Sequence, residues 1–161
     1  MTAFEQTLTF PSEARTAAFA AALAARLGPG DVILLQGGLG AGKTHFARSL
    51  IQSRLAATGR AEDVPSPTFT LVQVYSDGAT EIWHSDLYRL TGPDEVAELG
   101  LEDAFTDAIC LVEWPDRLDD MTPAGALTLS LEMTPREGER IARLSSTDAR
   151  WQTIVPDMAD V

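Results

Sequence analysis

The sequence predicts an α/β protein: a mixed sheet covered by helices on its faces, with antiparallel additions. Three observations carry that expectation. Two short, continuous apolar runs, Val32-Ile-Leu-Leu35 and Ile109-Cys-Leu-Val112, have the composition of strands buried on both faces. Around them lie segments whose apolar residues recur at helical spacing. From Leu127 onward the pattern changes to alternation, the mark of strands with one wet face. Layers of this kind pack helices over a central sheet.

Taken in order, Phe4 to Phe10 read as a short strand. Ser12 is placed to N-cap a helix whose Phe19, Leu23 and Leu27 fall on one face and which ends at Gly28. After the Gly28-Pro-Gly30 turn, Asp31 to Gln36 form the first buried strand. A glycine-rich loop follows, then an amphipathic helix with Phe46, Leu50, Ile51 and Leu55 as its stripe. Thr68 to Tyr75 and Thr80 to Ser85 are rich in β-formers and flank Ser76-Asp77-Gly78, so they read as a hairpin. Pro93 after Gly92 suits the first position of a helix that turns Val96 and Leu99 inward. Ile109 to Val112 are the second buried strand. Leu127, Leu129, Leu131 and Met133 alternate with polar residues, and the Pro135-Arg-Glu-Gly138 turn leads to a partner strand, Arg140 to Leu144. Roughly the last fifteen residues follow no single period. No repeat, low-complexity tract or linker divides the chain, so residues 1–161 read as a single domain.

Composition narrows the function. No apolar run approaches the roughly 20 residues needed to span a bilayer, and Met1-Thr-Ala-Phe-Glu5 does not start like a secretory signal. The lone Cys110 permits no internal disulfide and reads as a buried core thiol. A net charge of −12, with no basic cluster, excludes a surface built to grip nucleic acid directly. Of 12 basic residues only Lys43 is a lysine, and it stands inside the glycine-rich loop. A compact ammonium fits among phosphates where a planar guanidinium does not.

That loop carries the strongest signal. Gly37, Gly38, Leu39, Gly40, Ala41, Gly42, Lys43 and Thr44 match G-x-x-x-x-G-K-[ST] in full. Its glycines let the backbone wrap a phosphate chain, and the helix after it presents its positive end. Lys43 is placed for the outer phosphates, and the Thr44 hydroxyl for Mg²⁺. Chance supplies such a match in a chain of this length only about 0.5% of the time, so a nucleotide hydrolase is expected.

Such a loop needs a carboxylate opposite it. Two sites compete. Glu113 ends a buried strand, at the edge where open α/β sheets bind ligands, and so looks more like the metal-site acid. Asp86 ends the more polar Glu81-Ile-Trp-His-Ser-Asp segment and reads as the second carboxylate. His84 shares a strand face with Asp86, but two residues make no metal site by themselves, and it reads as positional. The stiff Val64-Pro-Ser-Pro-Thr68 loop suits a switch whose Ser66 or Thr68 senses the γ-phosphate, and equally a rigid connector. Trp83, Trp114 and Trp151 read as core or rim aromatics.

Four segments stand in order at close spacing: Gly37-Gly-Leu-Gly-Ala-Gly-Lys-Thr44, Ser66-Pro-Thr-Phe-Thr-Leu-Val72, His84-Ser-Asp-Leu-Tyr-Arg-Leu90 and Val112-Glu-Trp-Pro115. From about the first helix to Arg117 the chain resembles the TsaE family, small bacterial P-loop ATPases of tRNA threonylcarbamoyladenosine biosynthesis. The resemblance implies a cytoplasmic protein that hydrolyses ATP slowly alone and acts on a TsaD–TsaB transferase, meeting tRNA only through that complex. It implies ATP and Mg²⁺ as ligands. Lys43 and Thr44 would bind phosphate and metal, Glu113 would be a Mg²⁺-site acid, and Asp86 would support hydrolysis at the metal site. It also places the Pro11 to Thr16 segment near the base. Gly38 stands where an acidic residue is usual in the family, and Ser85 where a bulky apolar one is. Two other classes are open to the same loop: a small-molecule kinase, for which no arginine-rich lid is evident, and a nucleotide-gated binding switch.

Overall fold

A computed structural model describes residues 1–161. Its frame is one seven-stranded sheet in the order β1-β7-β6-β2-β5-β4-β3. The strands are β1 (Phe4–Phe10), β2 (Val32–Gln36), β3 (Val72–Ser76), β4 (Glu81–Asp86), β5 (Ile109–Glu113), β6 (Leu127–Met133) and β7 (Arg140–Ser146). β6, β2, β5 and β4 run parallel to one another. β3 closes one edge antiparallel to β4, while β7 and then β1 extend the other. The mixed sheet with antiparallel additions is therefore present, with helices on both faces.

The apolar runs explain why β2 and β5 lie at the centre. Side chains of a strand alternate between faces, so a run without polar residues must be covered on both sides. Ile33 and Leu35 of β2, with Ile109 and Leu111 of β5, join a cluster of 28 buried residues. That layer is roofed by α1 (Glu13–Ala24) and α2 (Lys43–Ala57). Val32, Leu34, Cys110 and Val112 point the other way, into a cluster of 13. There they meet α3 (Pro93–Ala97), α4 (Leu101–Asp107) and a 3-10 segment, Pro115–Met121. Burial also pushes the Cys110 thiol up to about 12, which makes it inert. Phe46, Leu50, Ile51 and Leu55 are all fully buried beneath α2. Truncating Phe46 to alanine would cost about 3–5 kcal/mol.

Local chemistry sets the element ends. Ser12 caps α1, its side chain accepting from the Arg15 amide. α1 stops at Ala24 rather than at Gly28, because Arg26 and Leu27 turn back onto Leu23 and Ala24 and the Asp31 carboxylate takes the Gly28 amide. Leu27 stays buried, now from a turn. β3 starts at Val72, not Thr68. Residues 68–71 form a turn closed by the Leu71 amide on the Pro67 carbonyl at 2.7 Å, with Leu71 at φ 71°. The hairpin itself pairs as its turn residues imply, Ser76 opposite Glu81. α4 is an additional helix, its Leu101, Ala104 and Phe105 spaced to bury one face. A short helix, Trp151–Ile154, seats the fully buried Trp151 in the larger core.

The parallel strands bring their C-terminal ends to one edge. Gln36, Asp86 and Glu113 end β2, β4 and β5, and β5 pairs with β4 so that Asp86 stands opposite Glu113. The glycine-rich loop crosses that edge.

Candidate active site

Residues 37–42 connect β2 to α2 as a loop that only glycine permits at its two ends. Gly37 has φ 144°, and a Cβ there would stand 2.7 Å from the Leu131 carbonyl oxygen. Gly42 has φ 106° and starts α2 without a side-chain cap, so no side chain competes for the first helical amides. Arg140 of β7 steadies the loop from the far side. Its Nε donates to the Ala41 carbonyl at 2.7 Å, and Nη2 to Gly40 at 3.3 Å.

Lys43 points back beneath the loop. Its ammonium donates to the carbonyls of Gly37 and Gly38 at 2.6 and 2.8 Å, and only 5% of the residue is exposed. Burial pushes this ammonium below the ordinary lysine range, while the Glu113 and Asp86 carboxylates pull it back up.

Thr44 meets Glu113 directly. The hydroxyl lies 2.8 Å from Oε1 and 3.0 Å from Oε2 of the carboxylate, which is 2% exposed. His84, fully buried on β4, places Nε2 2.7 Å from Glu113 Oε2. Asp86 is held separately. Its Oδ1 accepts from the Tyr88 amide at 3.0 Å, and its Oδ2 from the Thr68 hydroxyl at 3.2 Å. Thr68 in turn lies 2.8 Å from the Ser66 hydroxyl, so the proline-flanked loop is tied to the acid edge. Trp114 follows Glu113 in a left-handed conformation, φ 57°. Its ring packs 4.8 Å from Tyr88.

These groups line one cleft of about 320 Å³, which takes in residues 39–45, Thr68, Asp86, Glu113, Trp114 and Arg140. The volume is at the lower end for a ligand site. Glu13 and Thr16, from the segment expected near the base, form part of the same wall. Of the expected site residues, Leu39 to Thr44, Asp86 and Glu113 line this cleft, while Gly37 and Gly38 line a neighbouring hollow that shares Trp114 with it. Trp151 is core and Trp114 is rim. Sequence reading missed one participant, Arg140, and the partner of another, His84. Arg140 looked like the start of an edge strand, and nothing local marks its reach of 99 residues back to Ala41. The contact of His84 with Glu113 depends on β4 lying beside β5, a pairing that no local pattern encodes.

The donor set suits a hard divalent cation. A hydroxyl and two carboxylates offer oxygen ligands, as Mg²⁺ requires. No group of three or more His, Cys, Asp or Glu side chains is arranged to hold a metal ion by itself. Mg²⁺ is commonly held by one or two carboxylates and completed by water and phosphate, rather than by an all-protein cage.

A glycine-wrapped helix start, a buried lysine and a threonine–glutamate pair at the C-terminal edge of parallel strands define a P-loop NTPase-like protein. The TsaE family model, described as "Threonylcarbamoyl adenosine biosynthesis protein TsaE", matches residues 10–142. The tRNA threonylcarbamoyladenosine biosynthesis protein TsaE of Rickettsia bellii is 40% identical over 122 residues, 76% of this chain and 83% of that protein. The protein of the same name from Bacillus subtilis is 33% identical over 145 residues, 89% and 87% of the two chains. The crystal structure of Bacillus subtilis YdiB superposes with a TM-score of 0.75 at 26% identity, covering 99% of this chain and 97% of that one. The chain belongs to the TsaE family, whose role lies in tRNA threonylcarbamoyladenosine biosynthesis. No helix is long and apolar enough to cross a membrane.

Proposed function

We propose that this chain binds Mg·ATP in the cleft and hydrolyses it slowly on its own, in the cytoplasm. Turnover would serve a TsaD–TsaB transferase that modifies tRNA, with tRNA reached only through that complex. The observation that carries the reading is the Thr44–Glu113 contact: a helix-start hydroxyl and a strand-end carboxylate meet within 3.0 Å beside the phosphate loop.

The residues divide the work. The loop amides and the start of α2 receive the phosphate chain, and Lys43 leaves its two carbonyls to neutralise the outer phosphates. Thr44 and Glu113 would hold Mg²⁺, with Asp86 beside them. When bound, the ion neutralises charge on the β- and γ-phosphates. Asp86, fixed by Thr68 and the Tyr88 amide, accepts a hydrogen bond from the attacking water and orients it. Water adds to the γ-phosphorus, the bond to the bridging oxygen breaks, and ADP and phosphate leave. Trp114 would wall the phosphate end, with Tyr88 packed against its ring.

The test is ATP hydrolysis by the isolated chain, then with TsaD–TsaB, then with tRNA added. Slow turnover alone and faster turnover with the partners supports the reading. No hydrolysis under any of these conditions overturns it.

A further inference from the structure

His84 is fully buried, yet its ring does not behave as core filling. Nε2 lies 2.7 Å from Glu113 Oε2, while Nδ1 has no hydrogen-bond partner. A buried polar atom without a partner is costly, and an apolar residue in this strand would avoid that cost. β4 otherwise presents Ile82 to the core at the same depth. The cost is tolerated where the other ring nitrogen has work to do.

We infer that His84 is a positioning residue for the metal-site carboxylate: it holds Glu113 in the rotamer that faces Thr44. The inference rests on the Mg·ATP reading above. The carboxylate has two donors on the protein side, and they act differently. Thr44 bridges both oxygens, at 2.8 and 3.0 Å, and so does not by itself choose between them. His84 contacts Oε2 alone. It comes from the neighbouring strand, where it stands opposite Leu111, two residues before Glu113. The ring therefore pins one oxygen to the sheet and leaves Oε1, with its shorter contact to Thr44, at the cleft side. A donor behind a metal-ligating carboxylate sets its orientation, and its loss commonly lowers metal affinity by 10–100-fold. Because Glu113 is 2% exposed, water is poorly placed to replace the lost donor.

The same contact accounts for the alternation along β4. His84 and Asp86 share one face of the strand. One of them stands behind Glu113 and the other stands beside it at the strand end. One strand thus supplies both an acid and the support of the acid next to it.

Three variants separate positioning from packing. His84→Gln places an amide at the reach of Nε2, His84→Asn places the same amide one methylene short, and His84→Phe keeps the ring and removes the donor. Calorimetry would measure ADP and non-hydrolysable ATP-analogue affinity in Mg²⁺ and in EDTA, with melting temperature confirming the fold. Positioning predicts that Gln stays within about twofold of the unmodified chain in Mg²⁺, while Asn and Phe lose about 10-fold. Affinity in EDTA should be unchanged for all three. Equal losses for Gln and Asn, or equal losses with and without Mg²⁺, overturn the inference and mark His84 as packing alone. If Phe does not fold, the Gln–Asn contrast still decides. An unmodified chain whose nucleotide affinity ignores Mg²⁺ overturns the underlying reading instead, and the inference falls with it.

Discussion

The Lys43 ammonium lies 4.2 Å from the centroid of the Trp114 ring. It is held there by two carbonyls of its own loop, Gly37 and Gly38. A phosphate chain would compete for that ammonium with both the carbonyls and the ring. Trp114 is accordingly a built-in reporter. Its fluorescence should change on saturation with Mg·ATP, and Trp114→Phe should abolish the change although Trp83 and Trp151 remain. A spectrum indifferent to nucleotide would remove Lys43 from the phosphates.

Lys43 is also the only side-chain amine in the protein. Burial lowers its pKa against the opposing pull of Glu113 and Asp86, so its uncharged fraction at a given pH exceeds that of an ordinary lysine. Amine-selective acylation followed by mass spectrometry should find one internal adduct whose pH onset lies below that of a free lysine side chain. Saturating Mg·ATP should suppress it. Labelling that ignores nucleotide, or sets in at ordinary lysine pH, contradicts this placement.

The two acids should part company under mutation. Glu113→Ala removes the partner of Thr44 and should weaken Mg²⁺-dependent nucleotide binding by about 10-fold. Asp86→Asn can keep the hydrogen bond from the Tyr88 amide and donate its NH2 to the Thr68 hydroxyl while losing the negative charge, so ATP should still bind while turnover slows about 100-fold. Calorimetry and phosphate release distinguish the two. Unmodified rates in both variants would require a different carboxylate.

How much of this was legible from residues alone depends on the range of each interaction. The phosphate loop, the α2 stripe and the Ser12 cap are local, and they stand where the sequence places them. β2 and β5 could be located because double burial leaves an uninterrupted apolar run. Their neighbours could not: nothing in β4 states that it will lie parallel to β5 and carry His84 to Glu113. Residues 68–71 read as strand because β-formers fill them, yet Leu71 takes a left-handed conformation and the chain turns. There the hydrogen bond to Pro67 overrides propensity. α4 carried its signal in Leu101, Ala104 and Phe105, but its shortness and a glycine at its start hid it behind α3.

Stability should depend on a contact far from the cleft. Arg54 of α2 donates to Asp77 in the β3–β4 turn at 2.8 Å, and to the carbonyls of Ala24 and Leu27 at the end of α1. Burial pushes the Asp77 carboxyl up, but amides of Ala79 and Thr80 together with Arg54 outweigh it, and the net direction is down from 3.8. A carboxyl with a lowered folded-state pKa stabilises the fold above its unfolded value and loses that contribution as pH falls through the folded one. Asp77→Asn should therefore destabilise the fold near neutrality, with the difference from the unmodified chain vanishing in strong acid. Denaturant titrations at several pH values would show it. A constant difference down to the most acidic point would refute the assignment.

Association with the transferase should follow the nucleotide. A ligand drives docking only by binding the docking-competent state more tightly. Calorimetry with TsaD–TsaB should then give tighter binding under an ATP analogue than under ADP. The isolated chain, at net charge −12, should not retain tRNA at physiological salt. Equal affinity in both nucleotide states ends the coupling idea, and firm tRNA retention ends the charge argument.

The Arg140 contact bears on how the protein comes to exist on the ribosome. The phosphate loop emerges early, yet Gly37 packs against the Leu131 carbonyl of β6, and Arg140 of β7 holds Ala41. A nascent chain stopped before β6 would present the whole glycine-rich motif with neither support. Translation order and the order of site completion therefore differ. The supports of the glycine-rich loop are complete only when the last hairpin closes, about a hundred codons after the loop itself is synthesised.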